Sequence, residues 1–314
     1  MKLINPFQTV AAALLVFGCA QSETDRVNPY RDLRITASNA FFYYADLDAA
    51  TEFYTETLGI RIAADYGFAK ILQIAGTSFL TLVDADSGMH SADEPKTVAI
   101  ALITDQLEEW WDYLSGTDIV MRHEFNPTAG RPHDGFVAVD PEGYLLEFER
   151  FNAHDENQRF TPVLDRAGTL PSRGAVPQGL GFKAVVLWTY YNDLGNAQRF
   201  YEDRLGLGMI VDQGWTKIYQ TSPTGFLGLV DQARGMHSYT EQKGVTLSFL
   251  TDDLDGWYAH ARGDGGFELR SDTISTGDDR FRAFVGYDVE GYYLEFDTFL
   301  PHPNNEELLA ALRR

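Results

Sequence analysis

Two glutamates stand in the same seven-residue frame. Glu142-Gly143-Tyr144-x-Leu146-Glu147-Phe148 returns as Glu290-Gly291-Tyr292-x-Leu294-Glu295-Phe296. A carboxylate on an apolar strand is a candidate base, ligand or acceptor, and once buried it needs a partner. Glu147 and Glu295 are therefore candidate ligand-binding residues; the alternative is a structural hydrogen bond to a neighbouring tyrosine. A second repeated group, Gly88-Met89-His90-Ser91 and Gly235-Met236-His237-Ser238, presents two histidines. His90 and His237 are able to act as bases or ligands near neutral pH. With no adjacent carboxylate or second histidine, turn chemistry is the favoured reading: glycine at positive φ, methionine filling an apolar gap, serine bonding locally. Two β-prone segments carry aromatic residues with polar tips. Strand alternation puts Asn39, Phe41 and Tyr43 on one face, and Val186, Trp188 and Tyr190 on the matching face. Such a face lines a small-molecule site or packs in a core. Lys70 and Lys217 recur at matching places, suited to an anionic ligand or to solvent. Arg131 and His133 in the first copy, and Arg280 and Arg282 in the second, lie in a loop that differs between the copies.

These groups belong to an internal repeat. Residues 35–113 return at 182–260: Tyr43-Tyr44-x-Asp46-Leu47 as Tyr190-Tyr191-x-Asp193-Leu194, Leu82-Val83-Asp84 as Leu229-Val230-Asp231. Each copy is long enough for its own core and too long for a solenoid repeat. Within the first copy, Ile35 to Tyr44 reads as a strand. Asp46 caps a helix with Leu47, Ala50, Phe53, Tyr54 and Leu58 at helical spacing, and Gly59 ends it. Three short strands follow, then a strand near 97–103, a helix with Leu107, Trp110, Trp111 and Leu114 on one face, and three more strands. The order strand-helix-three strands occurs twice per copy. Pro- and Gly-rich residues 151–180 read as a linker, and residues 300–314 as a C-terminal helix capped by Asn304 or Asn305.

The formal charge of −21 repels nucleic acid and anionic lipid headgroups. A single cysteine excludes a disulfide framework and Cys-based zinc sites. That residue, Cys19, ends an apolar run from Val10 to Phe17 behind a short positive start. The layout is that of a secretory signal, and Gly18-Cys19 resembles the lipobox of bacterial lipoproteins. The resemblance implies a signal peptide over 1–18, lipidation at Cys19 and a tether over 19–33. It also implies a bacterial cell-envelope location, lipid-anchored, on the outer membrane because Ala20 rather than aspartate follows.

The "Asp-Leu…Phe-Tyr…Leu-Gly" pattern after the first strand, with the closing "Asp-x-Glu-Gly-Tyr-x-Leu-Glu-Phe", resembles the vicinal oxygen chelate superfamily of glyoxalase I, extradiol dioxygenases and bleomycin-resistance proteins. The resemblance implies an α+β fold: two tandem domains, 34–150 and 181–299, each of paired βαβββ units forming a cup-shaped sheet. It further implies a pseudo-dimer within one chain, with cups that single-domain relatives complete by dimerising. The family's metal positions fall on Asn39, Thr81, Ala99 and Glu147 in one copy, and on Val186, Gly228, Thr246 and Glu295 in the other. Only the glutamates are ligand types that suit a divalent ion, which normally needs three. No metal cofactor is expected; Glu147, Glu295, His90 and His237 are the weak alternatives. The leading expectation is metal-independent binding of a small, partly aromatic or hydroxylated molecule by Asn39, Tyr43, Glu147, Trp188, Tyr190 and Glu295. The alternatives are a metal-dependent lyase or dioxygenase of the superfamily type, and a structural envelope protein with vestigial cups.

Overall fold

The structure is a computed structural model that describes residues 33–313. The expected signal peptide and Cys19 lie outside the described residues. Four βαβββ units follow one another. The first holds β1 (Ile35–Tyr44), α1 (Leu47–Glu52), β2 (Arg61–Asp65), β3 (Ala69–Ala75) and β4 (Ser78–Asp84). The second holds β5 (Val98–Ile103), α2 (Leu107–Leu114), β6 (Val120–His123), β7 (His133–Val139) and β8 (Leu145–Phe151). After α3 (Thr161–Arg166) and a short pair, β9 (Leu170–Pro171) and β10 (Gly181–Phe182), the third unit has β11 (Ala184–Tyr191), α4 (Leu194–Asp203), β12 (Gly208–Asp212), β13 (Thr216–Gln220) and β14 (Gly225–Asp231). The fourth has β15 (Val245–Thr251), α5 (Leu254–Arg262), β16 (Ser275–Thr276), β17 (Phe281–Tyr287) and β18 (Tyr293–Phe299), and α6 (Glu306–Leu312) ends the chain.

The repeated side chains explain the repeated elements. Asp46, Asp193 and Asp253 each accept a backbone N–H three residues on, at 2.9 Å, and so start α1, α4 and α5. Gly59 and Gly206, at φ 64° and 65°, reverse the chain after the α1 and α4 segments. Asp140 accepts the N–H groups of Glu142 and Tyr144 with one oxygen and the hydroxyls of Tyr44 and Tyr54 with the other. Asp288 does the same with Glu290, Tyr292, Tyr191 and Tyr201. The closing motif is thus a turn that pins the first helix of each copy.

Eight strands form each of two sheets, as the α+β cup fold requires. Their orders are β16-β17-β18-β15-β1-β4-β3-β2 and β12-β13-β14-β11-β5-β8-β7-β6. Each sheet therefore takes one unit from each copy. Residues 35–84 and 245–299 build an outer cup; residues 98–151 and 184–231 build an inner cup. The joins are antiparallel, with Asn39 opposite Ser248 across β1/β15 and Val186 opposite Ala101 across β11/β5. The pseudo-twofold shows in a reciprocal pair: the Thr77 N–H donates to Thr224 Oγ1 at 2.8 Å, and the Thr224 N–H to Thr77 Oγ1 at 3.0 Å.

Alternation on β1 sends Ala40, Phe42 and Tyr44 into a core shared with the helices, while Phe41 and Tyr43 face the cup. The expected linker opens with a helix of the repeat. The Asn157 amide donates to Pro132 and Asn152 carbonyls, as Asn305 does to those of Arg280 and Leu300. Behind these anchors, Phe160 and Leu164 pack on the inner cup, and Leu308 and Ala311 on the outer. Asn305 precedes α6, but its side chain serves this anchor rather than capping the helix.

Candidate functional site

The outer cup encloses a cavity of about 260 Å³. Phe41, Tyr43, Tyr66, Phe68, Phe281 and Phe299 supply its aromatic wall. Its polar feature is Glu295 with Asp297, two residues on along β18 and hence on the same face. Both are buried, at 8% and 1% exposure. Ser248 donates to Asp297 at 2.7 Å. Burial, then the charge of Asp297, raises the Glu295 pKa well above the ordinary carboxylate value. Burial also lifts Asp297, to about 6, against the hydrogen bonds from Glu295 and Ser248. Both carboxyls therefore hold a proton more readily than exposed ones, because each buried charge opposes the other. Tyr43 binds Thr246 through their hydroxyls at 2.7 Å. Asn39 and Thr81 satisfy each other at 2.9 and 3.1 Å.

The inner cup holds two adjoining cavities: one of about 120 Å³, walled by Trp188, Tyr190, Trp215, Phe151 and Met236, and one of about 260 Å³ that shares His133, Glu147 and Met236 with it. Glu147 and Glu149 repeat the carboxyl pair on β8. The difference lies opposite. His133 faces Phe151 across β7/β8, where the outer cup places Phe281 against Phe299. His133 Nδ1 is 2.7 Å from Glu149 Oε1. The Glu149 hydrogen bond and charge raise the histidine to about 9. Burial, then the Glu149 charge, raises Glu147 to about 8.

Five of the six expected ligand-binding residues line these cavities: Tyr43 and Glu295 in one, Glu147, Trp188 and Tyr190 in the other. Asn39 lies in a narrow gap between the sheets and is occupied by Thr81. The first-strand aromatics are cavity walls, and Glu147 and Glu295 are cavity groups. The histidines sit behind the walls. His90 Nδ1 is 2.6 Å from Glu94, and its ring lies 4.9 Å from that of Tyr43. His237 packs edge-on to Tyr190. Burial lowers both, His237 to about 4. Gly88 and Gly235 are needed for a different reason from positive φ: a Cβ on either would lie within 2.6 Å of the Tyr43 or Tyr190 ring. The recurring lysines are cross-strand ion pairs, Lys70 with Asp65 at 2.8 Å and Lys217 with Asp212 at 2.7 Å. Arg280 and Arg282 pair with Asp278 and Asp255.

The family's metal positions are regrouped by the topology. Across β1, β15 and β18, Asn39, Ser248 and Glu295 lie in register; across β11, β5 and β8, Val186, Ala101 and Glu147 do. The later-strand position is thus Ser248 or Ala101, two residues beyond Thr246 or Ala99. Neither set fits a divalent ion. The outer set has one carboxyl and an amide already bonded to Thr81; the inner set has one carboxyl among apolar side chains. The sequence reading missed Asp297, Ser248 and Glu149. The available signal was Glu-x-Asp and Glu-x-Glu on the last strand, which a period of two puts on one face.

Residues 37–148 match the profile of the Glyoxalase/Bleomycin resistance protein/Dioxygenase superfamily. The first copy thus matches that superfamily's profile, and the second repeats its fold in tandem. No curated protein matches the sequence. Among solved structures, glyoxalase I from Zea mays is similar at 16% identity and TM-score 0.57, covering 89% of this chain and 95% of that one. A putative dioxygenase from Bacillus subtilis subsp. subtilis str. 168 is similar at 13% identity and TM-score 0.58, covering 89% and 90%. At these identities the likeness is one of fold, which hosts many chemistries.

Proposed function

We propose that the protein binds a small aromatic or hydroxylated molecule in the outer cup, without a metal, at the bacterial envelope. The observation that carries the reading is the outer cavity: aromatic walls around a buried carboxyl pair, Glu295 and Asp297. An apolar cavity of about 150 Å³ already accepts a benzene-sized ring, so 260 Å³ admits a substituted ring. Glu295 would donate to, and Asp297 accept from, a hydroxyl at the cavity floor. The enzyme alternative would draw on the inner cup, where His133 joins two glutamates. The envelope location rests on Cys19 and the run before it, through an acylated N-terminus.

Two measurements test the reading. In thermal unfolding, at least one of a panel of phenols and aromatic alcohols is expected to raise the melting temperature saturably, and Glu295→Gln to shrink that shift. A response to none of them at millimolar concentration, or one that Glu295→Gln leaves intact, rules out this site. In cells, Cys19→Ala is expected to move the protein out of the membrane fraction or stall its maturation. A mature wild-type chain with a free Cys19 thiol refutes the anchor.

A further inference from the structure

The inner cup departs from the outer at one point of its lining, where a histidine, His133, takes the place of Phe281. We infer that His133, Glu147 and Glu149 form a binding site for one divalent first-row transition ion. The site stands apart from ligand binding in the outer cup. It is also displaced from the positions that the family uses: of its three residues only Glu147 holds one of them, while Val186, Gly228 and Ala101 fill the others.

One imidazole nitrogen and two carboxylate oxygens lie within 4.8 Å of one another, close enough that small side-chain rotations bring all three to the bonding distance of about 2.1 Å from one ion. An N,O,O set with charge −2 neutralises a divalent ion and suits zinc, manganese, iron(II) or cobalt(II) better than a soft ion. A second observation points to a missing partner. Glu149 is 2% exposed, and its Oε2 has no hydrogen-bond partner, although Oε1 is held by His133. Buried carboxylate oxygens are rarely left so. The outer cup shows the contrast: Asp297 there is served by Ser248, whereas the matching residue beside Glu149 is Ala101 or its neighbour Ile103, with no donor. Access is open, since the His133 side chain is 42% exposed and lies at the mouth of the cavity. Arg234 lines the same cavity but is held over the Trp215 ring at 4.7 Å.

The test uses full-length protein, stripped with chelator and dialysed against zinc, manganese, iron(II) or cobalt(II) separately, with metal content read by elemental analysis. One ion per chain is expected for at least one of the four. His133→Phe, which installs the residue that the outer cup carries at Phe281, and Glu149→Gln should each weaken retention at least tenfold. Thermal unfolding of each stripped variant checks that it is folded. Retention of no ion overturns the inference, and so does an ion that folded His133→Phe and folded Glu149→Gln both still hold.

Discussion

At the residue scale, both cups place two carboxyls on the last strand, and their partners set them apart. Asp297 is shielded by Glu295 and Ser248 in an aromatic cavity; Glu149 is bonded on one oxygen by a histidine. Burial holds the Asp297 proton up to about 6, and that of Asp140 likewise to about 6. In the unfolded chain both groups ionise near their ordinary value of 3.8. Between those values the folded state binds more protons than the unfolded. The contribution is therefore full below pH 3.8 and lost as pH rises through about 6. The size is of the order of 3 kcal/mol per group. Urea midpoints are expected to fall across this window, and Asp297→Asn to flatten the fall. An Asp297→Asn profile parallel to that of the wild type would remove Asp297 from the account.

At the element scale, the most specific sequence motifs turn out to be structural. The closing turn delivers Tyr144 and Tyr292, each fully buried, to the junction of the two sheets. Tyr144 accepts from the Tyr43 N–H at 2.9 Å and donates to the Gly244 carbonyl. Tyr292 accepts from the Tyr190 N–H at 2.8 Å and donates to the Thr97 carbonyl at 2.7 Å. Each hydroxyl thus reaches from one cup into the other and bridges the two central strands of that other cup where the copies join. Tyr144→Phe and Tyr292→Phe should each cost about 1–3 kcal/mol, because a buried N–H and C=O lose their shared partner. Chemical denaturation measures it: a lower midpoint at unchanged slope is expected, and a wild-type midpoint would show that the bonds are dispensable.

At the scale of the whole molecule, neither cup belongs to one copy. The β1/β15 and β5/β11 joins run through the middle of the sheets. A chain of residues 34–150 alone would leave β1 and β5 as long, apolar, unpaired edges. Two such chains satisfy each other by pairing β1 of one with β5 of the other. Light scattering on this fragment is expected to give a folded dimer; a folded monomer would show that one copy can close a cup by itself.

The sequence by itself determined the repeat, the order of elements, the helix caps and the fold class. These depend on local chemistry: an Asp that caps, a Gly that turns, alternation that faces Phe41 and Tyr43 one way. It also marked Glu147 and Glu295 as cavity residues, since a carboxylate inside an apolar strand stands out. Only the tertiary structure decided which groups meet. Strand pairing between copies put Asn39 with Ser248 and Glu295 instead of Ala99 and Glu147. That pairing joins residues some two hundred positions apart, and no local periodicity encodes it. For the same reason His133 read as a loop residue, although β7 starts with it and β8 brings Glu147 and Glu149 to its side.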